Sequence, residues 1–97
     1  MERSIFYNSQ NINDMYLDYY IIADDISASY CSLETYGVRI VKTVYLEGGG
    51  KTVESKQINN IFYKSADIER FMDIIVKNEV TPVTLPDVID DYIAEYI

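Results

Sequence analysis

The chain has 97 residues, 48% of them hydrophobic and 25% charged, with a net charge of −8 and no histidine. Such a length supports one domain that buries about 65% of its unfolded surface, and such a hydrophobic content excludes a disordered chain. The acidic balance argues against direct binding to nucleic acid or to an anionic membrane, because phosphates demand Lys and Arg.

The charge is unevenly spread: residues 1–42 carry −3, residues 43–77 are neutral, and residues 78–97 carry −5 with no base. One cysteine, Cys31, leaves no intrachain disulfide, which fits a reducing, cytoplasmic setting. MERSIFYNSQ lacks the apolar stretch of a signal peptide, and no apolar run approaches the roughly 18 residues of a membrane span.

Residues 14–23, DMYLDYYIIA, alternate. Met15, Leu17, Tyr19, Ile21 and Ala23 fall on one face; Asp14, Tyr16, Asp18 and Tyr20 fall on the other, as in a half-buried strand. Asp24-Asp25 reads as the turn that ends it. Residues 28–34, around Tyr30 and Leu33, form a weaker strand candidate. Residues 37–47, GVRIVKTVYLE, are rich in β-branched residues and form the strongest one. Gly48-Gly49-Gly50-Lys51 supplies the left-handed positions of a hairpin. Residues 52–62 return as a strand in which Val53 and Ile58 are out of phase, so a bulge is expected.

The back half changes period. Ser65 is placed to cap a helix over residues 65–78, with Ile68, Phe71, Met72, Ile75 and Val76 as its apolar stripe. Asp73 and Lys77 are spaced as an i,i+4 ion pair. Pro82 and Pro86 bracket a link, and Thr84 with Asp87 resembles a capping box. A second helix over 84–97 repeats the stripe through Leu85, Val88, Ile89, Tyr92, Ile93 and Tyr96. The expected fold is a single α+β domain: a strand-rich part, 1–62, with an antiparallel meander of about four strands, then two helices packed on one face.

The missing residue types limit the chemistry. Without histidine, neither a histidine-based triad nor a cysteine–histidine zinc site can form. Cys31 has no Lys or Arg beside it in sequence to lower its pKa, so it reads as a small buried hydrophobe. GGGKT at 48–52 resembles the end of a phosphate-binding loop, but that motif needs glycine where Tyr45 stands and must open a helix. The pairs Asp24-Asp25 and Asp90-Asp91 do not converge on one ion, since adjacent helical side chains diverge by about 100°. The expectation is a non-enzyme with no cofactor and no metal.

Two features suit binding instead. Ten tyrosines occur, six of them before residue 37. Tyr16 and Tyr20 flank Asp18 on the polar face of their strand, where a ring gives contact area at low entropy cost. Tyrosine is also simply a good strand former. On the second helix Asp87, Asp91 and Glu95 recur at i, i+4 and i+8, with Asp90 alongside. The plain account of this stripe is a solvated face; the functional account is a docking face for a protein with a basic surface. Its carboxylates rise about 6 Å per step, the order of a nucleic-acid phosphate repeat. A nucleic-acid-mimicking inhibitor of a host nuclease, of the phage anti-restriction or anti-CRISPR kind, would use them together with Asp18 on one continuous surface. An uncovered sheet edge also permits a homodimer.

TYGVRIVK at 35–42 and KNEVTPVTLPDVIDDYI at 77–93 resemble a family of small Firmicutes proteins known only as a domain of unknown function. The segment that carries the resemblance is Val80-Thr81-Pro82-Val83-Thr84-Leu85-Pro86-Asp87, and the likeness spans about residues 14–96. Many members carry histidine where this chain has Thr84. The resemblance implies one compact domain and no particular activity.

Overall fold

The alternation of residues 14–23 is one arm of a long hairpin, and the hairpin belongs to a single sheet. The computed structural model describes the backbone of residues 1–28 and 31–96, and the side chains of 1–26 and 33–96. Strands β1 (Arg3–Ile12), β2 (Met15–Ala28), β3 (Cys31–Tyr45) and β4 (Lys51–Phe62) precede helices α1 (Ser65–Lys77) and α2 (Leu85–Tyr96). The strands lie in the order β1-β2-β3-β4, each antiparallel to the next. The expected α+β meander with two C-terminal helices is therefore the observed fold.

Register sorts the side chains. Tyr19 lies opposite Ile40 and Ile21 opposite Val38, so the apolar alternation of both strands faces one side. There Ile68, Phe71, Met72 and Ile75 of α1 close the core, and Leu85, Ile89 and Tyr92 of α2 extend it. Phe62, at the end of β4, joins the layers: its ring centroid is 5.6 Å from Phe71 and 5.9 Å from Tyr92. The Tyr19 hydroxyl, wholly buried, donates 2.9 Å to the Val80 carbonyl, which satisfies the one polar atom that strand carries into the core.

The opposite face is buried only around Ile22 and Thr35. Glu2 crosses it to accept hydrogen bonds from Gln57 at 2.9 Å and Asn59 at 3.4 Å on β4. Four strands spread flat would span about 14 Å, so this bridge requires a coiled sheet.

Several local expectations change. Residues 3–12 form an edge strand that the sequence pattern does not mark. Asp24-Asp25 does not end β2: Asp24 pairs with Thr35 and Asp25 with Glu34. Residues 31–34 are the start of β3, not a separate strand, while Tyr30 and the Cys31 side chain lie outside the described residues. The hairpin at 46–50 is present, with Gly48 and Gly49 at φ of 96° and 99°. The bulge of β4 falls at 59–61, where three residues oppose Gly37. Val53 and Ile58 truly face opposite sides.

The helix ends also differ. Lys64, not Ser65, occupies the α1 N-cap position, with no side-chain cap bond. Asp73 accepts a hydrogen bond from Tyr7 and makes no ion pair with Lys77. Asn78, Glu79 and Val80 close α1: the Val80 amide donates to Ile75 at 3.0 Å and the Glu79 amide to Val76 at 3.1 Å, with Glu79 at φ 53°. That is a Schellman closure with a non-glycine residue in the left-handed position. Thr84 precedes α2 as expected, but its hydroxyl turns back to Thr81 and does not complete a box with Asp87. Pro86 lies inside the first turn of α2, where its missing N–H is not needed.

Candidate functional site

β2 and α2 present the two candidate surfaces, and the core separates them. Leu17, Tyr19 and Ile21 point at the helices, so Tyr16, Asp18 and Tyr20 point away from them. Asp87, Asp90, Asp91 and Glu95 are all exposed on α2, while its buried side carries Leu85, Ile89 and Tyr92. Asp18 and the α2 carboxylates therefore lie on opposite sides of the molecule, and the single continuous acidic surface is not formed.

On the open sheet face, cross-strand register builds aromatic pairs. Tyr16 meets the ring of Tyr45 edge-on at 5.5 Å. Tyr20 meets Phe6 edge-on at 5.7 Å and carries the Arg39 guanidinium 4.8 Å from its ring centroid. These are the T-shaped and cation–π geometries that quadrupolar rings favour. The Arg39 Nε is buried without a hydrogen-bond partner, and the Tyr20 ring lies against the guanidinium. Asp18, between the two tyrosines, accepts a 2.7 Å hydrogen bond from Ser9. Phe6 is 58% exposed, Tyr45 53% and Val53 55%. Nothing in the sequence marks Phe6, Arg39, Tyr45 and Val53 as binding residues, because they join the patch only through strand register.

On α2 the carboxylates are arranged as the helical period requires. Among the described residues none of the four forms an ion pair. Asp87 stands in the first turn and no basic residue stands in the last, so Glu95 faces the negative end of the macrodipole, while Asp91 stands at mid-helix one turn from both Asp87 and Glu95. Of the two tyrosines expected in the core, Tyr92 is buried. Tyr96 is 62% exposed and stacks on Tyr92 at 4.6 Å.

A shallow groove lies beside Glu54, Ser55, Lys56, Pro82 and Val83. Among the described residues no three Cys, Asp or Glu side chains gather closely enough to hold a metal, and no helix is long and apolar enough to cross a membrane. Two tyrosines have displaced pKa values. The Tyr7 hydroxyl is pushed up to about 12 by its hydrogen bond to Asp73, with burial and the nearby Asp73 and Glu69 charges adding to it. Burial pushes Tyr19 to about 12 as well. Both phenols stay protonated at neutral pH and serve as donors within the fold.

Comparison with curated proteins and with solved structures gives no match. The profile of a family of unknown function, DUF6514, matches residues 2–95, nearly the whole chain. The protein therefore belongs to the DUF6514 family.

Proposed function

We propose that this protein is a small, non-catalytic, regulatory or inhibitory binding module of the cytoplasm, and that it contacts a partner protein through the open sheet face around Tyr16 and Tyr20. The observation that carries the reading is the uncovered aromatic face. A sheet packed on one side usually turns polar side chains to water on the other. This one exposes Phe6, Tyr16, Tyr45 and Val53. The cross-strand ring pairs hold Tyr16 and Tyr20 in fixed orientations, so contact there would cost little side-chain entropy. The net charge of −8 favours a partner with a basic surface through long-range steering.

A second reading rests on a separate observation, the four exposed α2 carboxylates without ion-pair partners. In that reading α2 imitates a phosphate backbone and blocks a nuclease. Separation of Asp18 from this face reduces the imitation to one helix.

Affinity capture from the native host lysate separates the two. The wild type is compared with Tyr16→Ser/Tyr20→Ser and with Asp87→Asn/Asp91→Asn/Glu95→Gln, each first shown to be folded. Loss of a captured protein in the tyrosine variant alone supports the sheet-face reading. Loss in the carboxylate variant alone, with displacement by added DNA, supports mimicry. Equal capture of the same proteins by all three chains overturns both.

A further inference from the structure

We propose that β4 pairs antiparallel with β4 of a second copy, about a two-fold axis through Ser55, so that two meanders form one eight-stranded sheet. β4 is an edge strand, and residues 51–56 are all exposed. The other edge, β1, is interrupted by the bulge at Tyr7, a feature that discourages pairing. On β4 the straight stretch runs from Lys51 to Ile58, before the bulge at 59–61 in which Asn60 takes a φ of 57°.

The backbone phase of β4 fixes which groups are free. The Leu46 amide donates to the Gly50 carbonyl at 2.8 Å. Hydrogen-bonded pairs alternate along an antiparallel ladder, so Val44–Thr52, Lys42–Glu54 and Ile40–Lys56 are the bonded pairs of β3 and β4. The far side of β3 agrees: the Tyr45 amide donates to Asp14 at 3.2 Å, which commits the odd residues of β3 to β2. Val53, Ser55 and Gln57 therefore turn both backbone groups outward.

A symmetric partner must set odd residues against odd residues to satisfy those groups. Charge then selects among the registers. A centre at Glu54 opposes two glutamates, and a centre at Lys56 opposes two lysines. A centre at Ser55 opposes Glu54 to Lys56 twice, once on each side of the axis. It also sets Val53 against Gln57. Within one chain neither Glu54 nor Lys56 forms an ion pair among the described residues. The edge is thus complementary to itself, which makes a second copy the occupant it fits. This inference is independent of the sheet-face reading, because a chain that captured nothing through Tyr16 and Tyr20 could still pair its edges.

The experiment joins sedimentation with cross-linking of the full chain. The wild type should sediment as a concentration-dependent dimer. Glu54→Lys should weaken the dimer about tenfold or more, and Glu54→Lys/Lys56→Glu should restore it. In a Cys31→Ser background, Ser55→Cys should oxidise to a covalent dimer, since facing residues of a bonded pair have Cα atoms about 5.5 Å apart, inside disulfide reach. Val53→Cys should not. A wild type that stays monomeric at its highest soluble concentration overturns the proposal. So does a charge swap that fails to restore the dimer, or equal cross-linking at Val53 and Ser55.

Discussion

A Cβ atom on Gly37 would stand 2.2 Å from the Ile58 carbonyl oxygen and 2.7 Å from the Asn59 Cα. Both obstacles are backbone, so no rotamer change relieves them. Gly37 is where β3 meets the three-residue bulge of β4, and the absence of a side chain lets the bulged strand close on it. Gly37→Ala is therefore expected to lose about 3 kcal/mol, the upper part of the usual range for overpacking. Gly50→Ala is the control: its nearest contact would be the Leu46 side chain at 3.7 Å, and a change below about 0.5 kcal/mol is expected. Urea unfolding of both variants measures the difference. Equal stabilities would mean that the bulge is not held by this approach.

The bulge in β1 has a different use. Phe6 pairs with Tyr20 and Asn8 with Tyr19, so Tyr7 is the extra residue, turned out of the ladder toward α1. Its hydroxyl donates to Asp73, and Gln10 of the same strand donates to the Val76 carbonyl. Together these bonds fasten the edge strand to the helix. Tyr7→Phe should lose about 1 kcal/mol, and Asp73→Ala should lose little more once Tyr7 is already Phe. A double-mutant cycle with a coupling near zero would remove Tyr7–Asp73 as a fastening.

The same phenols set an alkaline limit. Tyr7 and Tyr19 each have a folded pKa of about 12, against an ordinary value of 10.0. Between those values the folded chain keeps protons that the unfolded chain releases, so stability falls as pH rises. Their contribution is fully present below pH 10 and is lost progressively toward pH 12. Chemical denaturation across that window should show a steep fall in the wild type and a shallower one in Tyr7→Phe. Tyr19→Phe is informative for slope only, because it also removes the bond to Val80. Parallel profiles for wild type and Tyr7→Phe would contradict the assignment.

The elements that show in the sequence are those whose periodicity is uninterrupted. β2 up to Ala23, β3 from Gly37, α1 and α2 each carry an unbroken apolar period, and the Tyr16–Asp18–Tyr20 row is the other face of the β2 alternation. β1 does not: Ile5 lies opposite Ile21 and Ile12 opposite Met15, yet five and twelve share a face only because Tyr7 inserts an extra residue. Asp24-Asp25 has turn composition, but Asp24 is held in the strand 3.6 Å from the Met1 ammonium. The acidic stripe of α2 follows from helical period alone. Its separation from Asp18 does not, because that depends on which sheet face the helices cover. The Arg39–Tyr20 and Tyr16–Tyr45 contacts likewise need strand register, which no single-strand pattern contains.

Glu79 is strained where it stands. It closes α1 at φ 53°, a conformation that costs a residue with a Cβ about 1–2 kcal/mol. Glu79→Gly removes that cost while adding freedom to the unfolded chain, and it also lowers the negative charge at the helix C-terminus. A net gain of about 0.5–1 kcal/mol is expected from thermal or urea unfolding. Glu79→Ala tests the cause, since it removes the charge and keeps the Cβ. If alanine stabilises as much as glycine, the backbone conformation is not the source.

The α2 carboxylates divide by position along the helix. Asp87 lies at the positive end of the dipole and should stabilise; Glu95 lies toward the negative end, and Asp91 stands at mid-helix and repels both neighbours one turn away. Asp91→Asn and Glu95→Gln should each raise stability by about 0.3–1 kcal/mol at low salt, whereas Asp87→Asn should lower it by a similar amount. Added salt should shrink all three differences, because the groups are exposed. This sign pattern matters for function, since the triple variant used to test mimicry combines two gains with one loss and should unfold at or a few degrees above the wild-type midpoint. A loss of binding in that variant would then report the surface and not the fold. A marked fall in its unfolding midpoint would show instead that the carboxylates serve the domain's own stability, through contacts other than the helix dipole.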